Sequence, residues 1–228
     1  MSLAGEGVAA IWNGIRPEAR ADYYEWHNRE HMPERVAIPG FCRGRRYRAL
    51  EGRPEFFTLY ETRAAAVLSG ADYLARLNAP TPWTRRVTAS FTDTARSLCR
   101  VALSLGPGEG GLIMTWRYDV MAGREDEHRS MLQITLGEMA DRKGIAGAHL
   151  CIADRDASVI QTVEKRSRAQ DLVPGWVVLV EGGAERAALE NACNDLMSNS
   201  FLEKQAAIGI ERGLYALQNL RNPSPASA

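Results

Sequence analysis

The sequence predicts an α+β fold in which one βαββαβ plan is written twice in a single chain, the two sheets lying back to back or closing into a barrel with the helices outside. Three observations point there. The same order of strand-like and helix-like segments occurs before and after a glycine-rich linker at 106–111. Local echoes recur, Trp12 with Trp116 in the first strands and Ile38-Pro39-Gly40 with Ile145-Ala146-Gly147 before the second. Finally, an antiparallel four-stranded sheet with helices on one face leaves its other face bare, and a second sheet covers it. Fusing both units removes the concentration cost of dimerising. The first unit spans 1–106, the second 107–222, and 223–228 is a disordered tail by composition.

In the first unit, residues 8–15 are apolar and end in Asn13-Gly14, as a strand does. Pro17 stands at a helix start with Glu18 in the first turn, and that helix runs to about Met32, where Pro33 should end or kink it. Strands are expected at 41–50 and 55–62, divided by the turn residues Glu51-Gly52-Arg53-Pro54. A helix broken by Gly70 fits 64–78, a polar helical or turn segment follows Pro80 and Pro82, and 97–105 is the fourth strand. The second unit reads as strand 112–120, helix 125–142, strands 145–153 and 176–181, helix 184–197 and strand 214–220. The second unit also carries an insertion at about 154–174 with Thr162, Glu164, Lys165, Arg166 and Arg168, and that half looks structural or lid-like where the first looks chemically equipped. Aligned on Gly40 and Gly147, the second copy sets Ile134 opposite His27 and Glu138 opposite His31.

Lysine plus arginine and aspartate plus glutamate both number 28 in 228 residues, so no charge excess recommends nucleic acid or an anionic membrane. The expected partner is a small molecule, beside the intrachain pseudo-dimer, and a further homodimer is compatible with the plan. Cys42, Cys99, Cys151 and Cys193 are widely spaced, which suits free thiols in a reducing compartment. With neither a signal-like start nor an apolar run of spanning length, the expectation is a cytoplasmic protein. Gly106, Gly108 and Gly111 meet the G-x-G-x-x-G spacing but precede a strand, so no dinucleotide site is expected. The third strand is acidic and glycine-free, unlike the base-stacking strand of an RNA-recognition module.

The chemistry concentrates in Tyr23–Pro39. On a regular helix Tyr24, His27, His31 and Glu34 share one stripe, a phenol, two imidazoles and a carboxylate. Two imidazoles one turn apart can take a proton from one substrate atom and deliver it to another. Glu30, Glu34 and the nearby helix end are expected to keep His31 charged to higher pH than His27. His27-x-x-Glu30-His31 also fits an inverted zinc-protease pattern, but zinc needs a third protein ligand and none is evident, so no metal and no cofactor are expected. On the second strand Arg43, Arg45 and Tyr47 form one row and Cys42, Gly44, Arg46 and Arg48 the other. If the Arg45 and Tyr47 row meets the site, a carboxylate or enolate can be held there, with Trp12, Tyr24 and Tyr60 as flat walls.

The run Tyr24-Glu25-Trp26-His27-Asn28-Arg29-Glu30-His31-Met32-Pro33-Glu34-Arg35, followed by Ile38-Pro39-Gly40-Phe41 and Arg45-Arg46-Tyr47, resembles the EthD-like branch of the dimeric α+β barrel superfamily. The resemblance is specific over the first half and topological over the second. It implies ferredoxin-like units that pair into a barrel, and this chain departs from that plan by fusing two such units, the second lacking the motif. It also implies a cofactor-independent cyclase, decarboxylase, isomerase or dehydratase acting on an aromatic, lactone or polyketide-like molecule; by the reading of the residues above, His27 and His31 are the candidate catalytic pair and Trp12, Tyr24, Glu34, Arg45, Tyr47 and Tyr60 the candidate substrate-binding groups. The alternative is a non-catalytic member of the same fold that binds a small ligand or a protein.

Overall fold

The computed structural model describes residues 3–166, 172–183 and 185–224. Arg168, the start of the 184–197 helix at Ala184, and the tail beyond 224 therefore lie outside the described residues. The first copy of the plan comprises β1 (Gly7–Ile15), α1 (Arg20–Trp26), a π-helical turn (His27–His31), α2 (Met32–Val36), β2 (Phe41–Glu51), β3 (Phe56–Thr62), α3 (Ala71–Asn78), α4 (Pro82–Thr88) and β4 (Phe91–Leu105). The second comprises β5 (Leu112–Val120), α5 (Glu125–Ala140), β6 (Ile145–Ala153), α6 (Arg155–Val159), α7 (Val163–Arg166), β7 (Trp176–Gly182), α8 (Arg186–Leu196), α9 (Asn199–Lys204) and β8 (Ala207–Arg221).

The eight strands close into one barrel in the order β1-β3-β2-β8-β5-β7-β6-β4, every pair antiparallel. Each copy has the ferredoxin-like order, and the copies join where β2 meets β8 and β4 meets β6. Closure removes the free edges that each open sheet would present. The expected choice between stacked sheets and a barrel thus resolves to the barrel. β4 and β8 run longer than expected because they pair with both copies.

Strand pairing corrects the internal alignment. Glu61 faces Val8 and Arg43 in the ladder, while Glu181 faces Ile113 and Gly147, so Glu61 and Glu181 correspond. By that register Arg117, not Trp116, stands where the first copy has Trp12, and Gly144, not Gly147, corresponds to Gly40. Both glycines are left-handed, with φ of 89° and 87°, a conformation that glycine adopts without Cβ strain. The offset is 105 residues at Trp12 and 104 at Gly40. The first helix therefore holds one residue more than its counterpart, and that residue is the π turn.

Alternation sorts the side chains into two layers. Inside the barrel lie Val8, Ala10, Trp12, Tyr47, Phe57, Leu59, Ile113, Val177 and Tyr215. Outside, under the helices, the second copy packs Trp116, Leu132, Leu136, Met139, Val178 and Val180 into one apolar cluster. The first copy divides the same layer into two smaller clusters, one around Met32, Tyr60 and Tyr73 and one around Tyr23, Trp26 and Phe56. Between them is the candidate site.

Candidate active site

Of the two outcomes expected at Pro33, an end or a kink, the helix does not end there. A proline inside an α-helix removes one hydrogen bond and crowds the carbonyl four residues back. Here the preceding turn widens instead, Met32 N–H donating to the His27 carbonyl, and the helix continues to Val36. The widened turn carries both histidines toward the sheet, His27 at 3% and His31 at 8% exposure. Their ring centroids are 5.6 Å apart, and the His31 ring lies 4.2 Å from that of Trp26.

Both rings line a cavity of about 30 Å³, room for one or two waters. Tyr23, Trp26, Tyr60 and Phe91 form its aromatic walls, and Arg35, Arg96 and Glu164 bring charge to it. Arg35 and Glu164 form a buried ion pair. Arg96 donates to the Tyr73 hydroxyl at 3.0 Å. The Tyr60 hydroxyl is buried with no hydrogen-bond partner among the described residues. Gly44 lies beneath Tyr60, where a Cβ would meet the ring at 3.0 Å, so the ring packs flat on the sheet.

Arg46 donates from Nη1 to Asn28 Oδ1 at 2.8 Å and approaches His27 Nδ1 at 3.3 Å. A guanidinium can only donate, so His27 Nδ1 accepts and the ring proton of neutral His27 sits on Nε2. Burial, then the charges of His31, Arg46 and Arg35, hold the His27 pKa well below its ordinary value of 6.5. His27 is consequently a neutral N–H donor at physiological pH. Burial likewise pushes the Tyr60 phenol well above its usual range, so it stays protonated.

The structure brings together only part of the expected constellation. His27, His31 and Tyr60 share the cavity. Trp12, Arg45 and Tyr47 lie across the sheet in the barrel interior, because the inward row of β2 is Arg43, Arg45 and Tyr47, and Gly44 and Arg46 face the helices. There Arg45 bridges Glu61 at 2.9 Å and Glu181 at 2.7 and 2.9 Å, and Trp12 lies beneath the Arg117 guanidinium. The added π-turn residue also breaks the regular stripe. Tyr24 packs under Arg46 outside the cavity, and Glu34 pairs with Arg76. Glu30 accepts hydrogen bonds from Thr81 and Thr84 at 2.6 and 3.0 Å. Among the described residues no three His, Cys, Asp or Glu side chains cluster as a metal site.

Sequence reasoning missed Tyr23, Arg35, Arg96 and Glu164. Arg35 ends the quoted motif, so its signal was present. Glu164 lies 129 residues away, and no spacing links it to the helix. By the corrected register the second copy sets Leu132 opposite His27, Thr135 opposite His31, Met139 opposite Arg35, and Trp116, Val178 and Val180 opposite Ile11, Thr58 and Tyr60. Apart from Thr135, these are apolar side chains of one cluster, packed where the first copy has a cavity lined by polar groups.

No family model matches the chain. No curated protein matches it either. Solved structures match along nearly its whole length. An anthrone oxidase-like protein superposes with a TM-score of 0.63 at 14% identity, covering 97% of this chain and 95% of that one. A proposed monooxygenase from Fusobacterium nucleatum subsp. nucleatum gives 0.58 at 8%, covering 96% of each chain. Another from Lactobacillus acidophilus gives 0.55 at 10%, covering 95% of this chain and 96% of that one. These likenesses support the dimeric α+β barrel fold, built here from two ferredoxin-like units in one chain. No helix among the described residues is long and apolar enough to cross a membrane.

Proposed function

We propose that this chain is a cytoplasmic, cofactor-independent enzyme of the EthD-like kind, converting an aromatic, lactone or polyketide-like small molecule by proton transfer at His27 and His31. The observation that carries the reading is a buried pair of imidazoles lining a cavity of the first copy. His27, neutral with its proton on Nε2, donates to an oxygen on which charge develops, and the Tyr60 phenol is a second donor of the same kind. His31 takes the proton from carbon and returns it elsewhere on the substrate. The aromatic walls hold a flat substrate, and exclusion of water strengthens each of these interactions. The cavity is smaller than such a substrate, so binding requires part of the wall to move.

The test is His27→Gln and His31→Gln, made separately and assayed with a panel of enolisable aromatic ketones and lactones. Each variant is expected to keep its circular dichroism spectrum and lose about 10²- to 10⁴-fold in turnover. Parent-like turnover in either folded variant ends the reading. A parent that binds members of the panel but converts none establishes the non-catalytic binder instead.

A further inference from the structure

The insertion between β6 and β7 belongs to the second copy in sequence but walls the cavity of the first. Its α7 packs against α3 and α4. Val163 N–H donates to Asn78 Oδ1 at 3.1 Å, and Leu98 N–H donates to Ser158 Oγ at 2.9 Å. From α7 the Glu164 carboxylate reaches the Arg35 guanidinium, both groups buried at the cavity. The second copy manages without such a pair, since Met139 fills the place of Arg35. A buried ion pair is no better for stability than well-packed apolar side chains of the same volume, because desolvating two charges offsets their attraction. Stability alone therefore does not explain a guanidinium at this depth.

Resting on the acid–base reading above, we propose that Arg35 is a carboxylate-binding group and that Glu164 occupies its place in the unliganded protein, so that the substrate is a small organic carboxylate that displaces Glu164. Exchange of one carboxylate for another keeps the buried charge balanced. It also accounts for the size of the cavity, which holds only one or two waters while Glu164 is in place. Glu164 is carried by α7, a single helical turn that is not part of the barrel, so displacement needs no strand to move. The entering carboxylate then lies against Arg35 with its ring among Trp26, Tyr60 and Phe91, beside both imidazoles.

The full-length protein is titrated with benzoate, read by the ring-proton signals of His27 and His31 and by melting temperature. Glu164→Gln keeps the side chain's size and removes the competing charge, and it is expected to bind benzoate at least tenfold tighter than the parent. Both histidine signals are expected to move. Arg35→Gln in the Glu164→Gln background is expected to abolish the gain, and benzyl alcohol, uncharged and of similar size, is expected to show none. Glu164→Ala opens the site outright, and benzoate is expected to raise its melting temperature more than that of the parent. Should both Glu164 variants unfold, the parent's weaker benzoate binding decides, since it is expected to shift both histidine signals and to vanish in Arg35→Gln. Equal affinity in parent and folded variants, a gain that survives Arg35→Gln, an equal gain with benzyl alcohol, or binding that leaves the histidine signals still each overturns the proposal. No turnover enters these measurements, so parent-like activity in His27→Gln would remove the acid–base reading and leave the benzoate result intact.

Discussion

A buried imidazole that cannot take up a proton leaves a mark on stability. Unfolded His27 titrates at its ordinary 6.5, whereas folded His27 titrates well below that value, chiefly because of burial. Below pH 6.5 the unfolded chain therefore binds the extra proton, and folding stability falls as pH falls. His128, whose pKa is lowered by burial against an opposing bond to the Gln205 carbonyl, acts in the same direction. Urea denaturation is expected to show stability declining from pH 6.5 to 5.5, with a shallower decline in His27→Gln. In the parent the His27 ring signals are expected to remain those of a neutral imidazole at pH 6, and a midpoint at or above 6.5 would refute the assignment. At this scale the sequence was half legible. Imidazoles near helix-stopping residues announced themselves, but alternation along β2 defines two rows without saying which is inward. Arg45 and Tyr47 proved to face a buried carboxylate network that only tertiary structure assembles.

Among the elements, the widened turn at His27–His31 decides what the helix presents. One extra residue rotates everything before it by about 100° relative to a regular helix. Deleting Asn28 would give the helix the length of its second-copy counterpart. By the register His27 then takes the buried place that Leu132 holds in the second copy, so the protein is expected to fold with His27 still titrating well below 6.5, and a midpoint at or above 6.5 would show that the widened turn is what buries it. The neighbouring α4 is tied to this turn by Thr81, which accepts from Thr84 N–H at 2.9 Å and donates to Glu30. Thr81→Ala is expected to cost about 1 kcal/mol in urea denaturation, as loss of an N-cap does. Strands 112–120 and 145–153 were readable to the residue because β-rich runs end at turn residues. Short α9 was not, since its Ser198 cap is a local signal with little periodicity behind it.

Across the whole molecule, the barrel is held at its core by charge as well as by apolar packing. Arg45 from the first copy grips Glu181 from the second, and His149 Nε2 lies 3.5 Å from the same carboxylate. Although burial opposes it, the bond from His149 and the charge of Arg45 bring the Glu181 pKa down to about 2. Its contribution is present above pH 4.5 and is lost as pH falls toward about 2. Arg45→Met leaves Glu61 its bonds from Arg43 but takes the guanidinium from buried Glu181, and is expected to cost about 3–5 kcal/mol by chemical denaturation. A loss below 1 kcal/mol would show that the carboxylates find other partners. The two-copy plan and helix-outside arrangement were legible from element order alone, while the residue-level match between copies was not, because one added residue shifts the frame midway.

The filled layer beneath α5 fixes how many molecules one chain can take up. Two separate ferredoxin-like subunits related by true symmetry would offer a pair of equal compartments and the chance of communication between them. Here the described residues of the second copy pack that layer with apolar side chains, Trp116 and Met139 among them. Isothermal titration should therefore saturate at one equivalent per chain along a simple hyperbola, with a Hill coefficient of about 1 whatever the ligand proves to be.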